Sequence, residues 1–290
     1  MIICVQSKQM CHNQTLIDSA TDTTKRHIGL PNMSRVFAIA NQKGGVGKTT
    51  TSVNLTASLA ATKRHALLID LDPQGNATMG SGIEKRTVEH SSYDVLMAEL
   101  PIENCIITNT DAGYDLLAAN SDLTAAEVGL IEELGRELRL RDALKSVKDR
   151  YAYVLIDCPP SLNMLTVNAL VAADAVVIPT QCEYYALEGL SSLIETINKI
   201  KRYLNPSLTV EGLLRTMYDP RNNLANDVSR QLLEHFGDKV YKTVIPRNVR
   251  LAEAPSHGMP ALKYDKSSAG ALAYLALAGE LLRKESTHTS

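Results

Sequence analysis

At 290 residues and 31.6 kDa, with 44% hydrophobic and 21% charged residues, the chain can bury one sizeable core or two modest ones, which excludes wholesale disorder and fibrous repeats. Aromatic residues make up 4% and Trp is absent, so base stacking on an aromatic platform is not its route to nucleic acid. The net charge of −2 gives no bulk attraction to DNA or to an anionic membrane, and any such binding must come from a local patch. Residues 1–33 are polar, Thr-rich and without sustained apolar periodicity; they are expected to form a disordered tail and lack the apolar middle of a signal peptide. Met33, just before the first apolar strand, is a candidate initiator, and the first 32 residues are expected to be dispensable for nucleotide binding.

From Arg35 on, short aliphatic runs alternate with longer amphipathic ones, the pattern of parallel strands joined by crossover helices. Strands are predicted at Val36–Ala40, Ala66–Asp70, Leu116–Ala118, Val154–Asp157, Ala175–Pro179, Glu211–Met217 and Lys242–Ile245. Helices are predicted near Thr49–Ala61, Ala125–Gly129, Leu138–Arg150, Leu162–Ala172, Leu187–Leu204, Asn226–Phe236 and Ala269–Lys284, the last with a stripe of Leu272, Leu275, Leu281 and Leu282. Several strands are apolar on both faces, so the fold class is α/β: a single doubly wound, mostly parallel sheet flanked by helices, occupying residues 34–290. No window approaches the roughly 18 uncharged apolar residues of a membrane span. Five cysteines without C-x-x-C spacing argue against a disulfide framework or zinc site, and Cys158 and Cys182 read as small buried apolar residues in a reducing cytoplasm.

The segment Asn41-Gln42-Lys43-Gly44-Gly45-Val46-Gly47-Lys48-Thr49-Thr50 follows a strand and opens a helix, the context of a phosphate-binding loop. Glycines let successive N–H groups converge on one anion at a helix N-terminus; Lys48 is placed to reach the β/γ-phosphates of ATP, and the Thr49 hydroxyl to join the Mg2+ shell. Gln42 replaces the first glycine of the usual pattern and Lys43 adds a second lysine. Asp70 and Asp72 end the second predicted strand, expected beside the phosphate-loop strand, with Asp72 the better candidate to position an attacking water. Asp157 ends a strand of the type whose aspartate holds Mg2+ directly or through water.

Lys43-Gly44-Gly45-x-Gly47-Lys48-Thr49 is the deviant Walker A form of a P-loop NTPase. Together with LLIDLDPQGNAT, VLIDCPPSL, PTQCEYYALEGL and YKTVIPRNVRLAEAPSHG it makes the chain resemble the ParA/Soj family of chromosome-partitioning ATPases from about Arg35 to Lys284. The resemblance implies that Lys43 crosses to the nucleotide of the opposite subunit, that Pro246, Arg247 and Asn248 lie by the adenine, and that Pro159-Pro160 acts as a γ-phosphate switch. It further implies an ATP-dependent homodimer that binds double-stranded DNA without sequence preference through Arg221 and Arg250. A ParB-type centromere-binding partner would stimulate slow ATP hydrolysis in a nucleoid-associated cytoplasmic protein. Charge supports the DNA step independently: residues 199–266 hold twelve Lys and Arg against seven Asp and Glu, and phosphate contacts need only positive charge and reach.

Two rivals share the catalytic kit. A MinD-like membrane-cycling ATPase would carry a basic amphipathic C-terminal helix, whereas this one is mostly Ala and Leu with a single Arg-Lys pair. An ATPase resembling the nitrogenase iron protein would need cysteines able to share a cluster across a dimer, and Cys158 has no obvious mate.

Overall fold

Strands apolar on both faces are stable only when helices cover both sides of the sheet, and the chain provides them in alternation. The structure, a computed structural model, describes residues 34–288, so the predicted tail over residues 1–33 lies outside the described residues. The strands are β1 (Arg35–Ile39), β2 (Ala66–Asp70), β3 (Ile106–Ile107), β4 (Asp115–Leu117), β5 (Tyr153–Asp157), β6 (Ala175–Gln181), β7 (Thr209–Tyr218) and β8 (Val240–Pro246). The first half of the chain supplies helices α1 (Lys48–Ala60), α2 (Asn76–Gly80), α3 (Ser92–Leu96), α4 (Ile102–Cys105), α5 (Leu123–Gly129) and α6 (Arg139–Leu144). The second half supplies α7 (Met164–Ala172), α8 (Ala186–Tyr203), α9 (Asn223–Phe236), α10 (Val249–Glu253), α11 (Ala261–Tyr264) and α12 (Ala269–His288).

The eight strands form one sheet in the order β3-β4-β2-β5-β1-β6-β7-β8, parallel throughout except that β3 runs antiparallel to β4. Alternation along each strand divides the core in two. Val36 and Ala38 of β1, Leu67 and Ile69 of β2 and Val154 and Ile156 of β5 face the layer containing α5 to α9. Phe37, Ile39, Leu68, Leu155 and Val177 face the opposite layer, built from α1, α10, α11 and α12. From β1 the chain passes by α1 to the β2 side, whereas β6, β7 and β8 extend the other way. The sheet therefore reverses direction around β1, which is where ligands bind in folds of this class.

All seven predicted strands are present, and the differences are local. β3, with two residues, is too short to show a period. The predicted Leu138–Arg150 helix is α6 followed by a 3-10 turn at Lys148–Arg150, because the Lys145 N–H already bonds i−3, to Asp142 O. Side-chain caps set two helix starts: Asn163 Oδ1 accepts from Thr166 N before α7, and Asn222 Oδ1 from Ala225 N before α9. β2 does not adjoin the phosphate-loop strand as expected; β5 lies between them, in register Ile39↔Asp157 and Asp70↔Asp157. The buried stripe of α12 is Ala271, Tyr274, Leu277, Ala278 and Leu281, while Leu272 is exposed. Among the described residues, no helix is long and apolar enough to cross a membrane.

Candidate nucleotide site

The loop between β1 and α1 curls because Gly45 and Gly47 sit at φ 73° and 86°, a left-handed backbone that suits glycine. A Cβ at Gly44 or Gly45 would meet nothing within 4 Å, so both glycines face open space, that of a cavity of about 520 Å³. Gly44, Gly45, Gly47, Lys48, Thr49 and Thr50 line one wall, and the first-turn N–H groups of α1 lack intrahelical partners. Asp72, Gln74, Asn76 and Pro160 line a second part of the cavity. A third part, with Met217, Ile245, Pro246, Arg247, Asn248, Leu251 and Tyr274, is mostly apolar.

Neighbouring strands brace the loop. Thr216 Oγ1 at the end of β7 donates to Val46 O at 2.8 Å, which fixes the buried Val46 inside the loop rather than in the cavity wall. The next residue, Met217, is held at φ 48°, a strained backbone for a side-chain-bearing residue, directly in the cavity wall. Lys48 is buried at 7% exposure and its Nζ donates to Lys43 O at 3.2 Å. Burial pushes this ammonium below its ordinary range, while the nearby Asp157 carboxyl, the Cys158 thiol and Asp72 pull the other way.

Asp157, fully buried, accepts from Thr49 Oγ1 at 2.8 Å and from Ser52 Oγ at 2.7 Å. Its carboxyl is pushed above the ordinary carboxylate range, first by burial and then by the charge of Asp70 across the β2–β5 pair. The Asp157 carboxyl beside the Thr49 hydroxyl offers the oxygen ligands that a hard divalent cation takes. The two aspartates of β2 and its exit differ in role. Asp70 is spent on the fold, accepting from Asp72 N, Thr78 N and Thr78 Oγ1 at 3.0, 2.8 and 2.8 Å. Asp72 reaches the cavity wall with only Oδ1 engaged among the described residues, by Gln74 N at 2.9 Å.

Lys43 is not part of this wall. Its N–H bonds Asn41 Oδ1 at 3.0 Å, Asn41 is tied to Pro179 O at 2.7 Å, and the Lys43 ammonium pairs with Glu183 between β6 and α8. Arg221 and Arg250 also lie outside the cavity, beyond the exits of β7 and β8, whose register Tyr218↔Pro246 brings these segments together. Ser52, Thr216, Met217, Leu251 and Tyr274 were not identified from the sequence; only Ser52, one turn after Lys48 on the same helix face, had a usable signal. Cys158 and Cys182 are buried, and burial pushes both thiols up, Cys182 to about 11, in keeping with their reading as packing residues.

An AAA-domain family profile matches residues 34–210. The sporulation initiation inhibitor protein Soj of Bacillus subtilis is 54% identical over 249 residues, covering 86% of this chain and 98% of that protein. The chromosome partitioning protein ParA of Caulobacter vibrioides is 52% identical over 256 residues, covering 88% and 96%. Among solved structures, cobyrinic acid a,c-diamide synthase from Mycobacterium smegmatis with bound ADP and magnesium matches with a TM-score of 0.78 at 38% identity, covering 88% of this chain and 97% of that one.

Proposed function

The chain belongs to the ParA/Soj family of chromosome-partitioning ATPases, and from that premise we propose an ATP-dependent dimerising switch. In this reading the ATP-bound dimer holds double-stranded DNA without sequence preference. Slow hydrolysis, stimulated by a ParB-type partner, releases it and drives chromosome or plasmid partitioning at the nucleoid. The observation that carries the proposal is the divergence of two lysines five residues apart: Lys48 lines the cavity, whereas Lys43 is turned out of it onto the surface that holds Glu183. A lysine whose backbone is fixed by Asn41 and whose ammonium pairs with Glu183 outside its own site is in a position to serve a neighbour's.

Within the site, the loop N–H groups at Gly44, Gly45 and Gly47 and the first turn of α1 cradle the β- and γ-phosphates, and Lys48 neutralises their charge. Thr49 and Asp157 hold Mg2+, and Ser52 orients Asp157 by occupying its second oxygen. Bound there, Mg2+ supplies charge neutralisation across the phosphates. Asp72 orients the attacking water, and the partner's copy of Lys43 adds positive charge to the transferring phosphoryl group, so turnover waits on dimerisation. The base lies between Met217 and the Pro246–Asn248 segment. Pro160, in the cavity wall, relays the presence of the terminal phosphate.

Relatives at 54% and 52% identity bear sporulation and partitioning names, and we follow them over the amide-forming name of the 38% identical mycobacterial protein. A DNA gel shift with ATP, ADP and no nucleotide tests the reading, with retention expected only with ATP. Retention indifferent to nucleotide would overturn it, as would ATP-dependent sedimentation with liposomes in place of DNA binding, the behaviour of the membrane-cycling alternative.

A further inference from the structure

The face assigned to DNA carries an unexpected feature: its arginines already hold carboxylates. Arg221 donates from Nε to Asp219 Oδ1 at 2.9 Å and from Nη2 to Asp219 Oδ2 at 2.8 Å, the two-point fork a guanidinium also presents to a phosphate. Arg250 donates from Nη1 to Glu253 Oε2 at 2.7 Å, and its Nε lies 3.4 Å from Asp265 Oδ2. We infer that Asp219, Glu253 and Asp265 are built-in competitors for DNA phosphates, and that they set how tightly this face holds DNA. The inference rests on the DNA-binding reading above and names the groups that regulate that surface.

The two aspartates are anchored by bonds that do not depend on an arginine side chain, and Glu253 has a long contact with Tyr264. Asp219 Oδ1 accepts the Arg221 backbone N–H at 3.0 Å, Asp265 Oδ1 accepts Ser267 N and Oγ at 3.1 and 2.7 Å, and Glu253 Oε2 accepts Tyr264 Oη at 3.4 Å. The arginines are the more exposed partners, with side chains 88% and 49% exposed against 33% for Asp219 and 39% for Glu253. A DNA phosphate can therefore take the guanidinium while the carboxylate stays in place. Arg221 and Arg250 thus face three carboxylates in spite of the basic surplus of residues 199–266. Arg221 keeps the Asp219 carboxyl down at about 2, so this competitor remains charged at any physiological pH. An exposed pair of this kind is weak, which makes the carboxylates tuners of affinity and not blocks to binding.

Asp219→Asn and Asp265→Asn remove charge while keeping the Oδ1 acceptor that each turn uses. With ATP present, double-stranded DNA affinity of the full chain is expected to rise about twofold to fivefold per substitution, the factor an exposed ion pair represents. The plot of log K against log salt should steepen by roughly 0.9 for each arginine freed to meet a phosphate. Glu253→Gln provides an independent variant, and ATP affinity should not change in any of the three. Unchanged or weaker DNA binding in all three, with DNA binding still lost in Arg221→Glu/Arg250→Glu, would overturn the competitor role and leave the DNA surface standing. Full DNA affinity in that arginine double variant would instead remove the surface itself.

Discussion

The phosphate loop and the arginine face both lie beyond the carboxyl ends of the strands, yet they are built in opposite ways. Around the loop the bracing polar groups are mostly buried and bonded to distant parts of the chain: Thr216 to Val46, Thr49 and Ser52 to Asp157, Asp70 to Thr78. On the arginine face, Arg221 and Arg250 are exposed and held by local ion pairs. Binding a triphosphate at a defined place requires fixed geometry, so the site needs particular residues at particular spacings. Contacting DNA phosphates requires only charge and reach, so many arrangements serve.

That contrast ranks the expected effects of substitution. Asp72→Ala, at the geometric end, should lower ATP turnover about 100-fold or more while ATP still binds, the scale of losing a positioned proton-transfer or water-orienting group; phosphate release at the wild-type rate would remove its assigned role. Lys48→Ala should weaken ATP about 10- to 100-fold by calorimetry, the factor of one charge-assisted hydrogen bond. The double change Arg221→Glu/Arg250→Glu should weaken DNA retention at matched salt about 10-fold or more, since two phosphate contacts become repulsive, and leave the ATP-bound dimer intact. Asp70→Ala sharpens the comparison from the fold side: it strips the partner from three donors and should destabilise the chain by about 1–3 kcal/mol, read as a lower Tm that Asp72→Ala does not share. Smallest is Glu183→Gln. It frees Lys43 from a half-exposed pair and should tighten the ATP-dependent dimer about twofold.

The sheet was legible because alternating apolar runs commit each strand to two buried faces, and Ala66–Asp70 coincides residue for residue with its expected range. The loop was legible because Gly45, Gly47, Lys48 and Thr49 fall close together in the chain in the pattern of a phosphate-binding loop. Other parts of the site were not. Thr216 and Met217 reach the cavity only because β7 lies two strands from β1, and a left-handed methionine has no sequence signature. The sequence pattern does not show that β2 stands one strand away from β1, because strand order is a property of crossovers: β5, distant in sequence, fits between β2 and β1. On the arginine face the cationic residues could be counted, but their pairing with Asp219, Glu253 and Asp265 depends on turns and on the α10–α11 contact, which composition does not reveal.

The central claim is that Lys43, excluded from its own cavity, completes the site of a second copy. Sedimentation of the Asp72→Ala chain in saturating Mg-ATP tests it most directly, with Lys43→Ala added in a parallel sample. The account expects a dimer with Mg-ATP that is absent with ADP and absent from the Lys43→Ala sample; a monomer under all three conditions would contradict it.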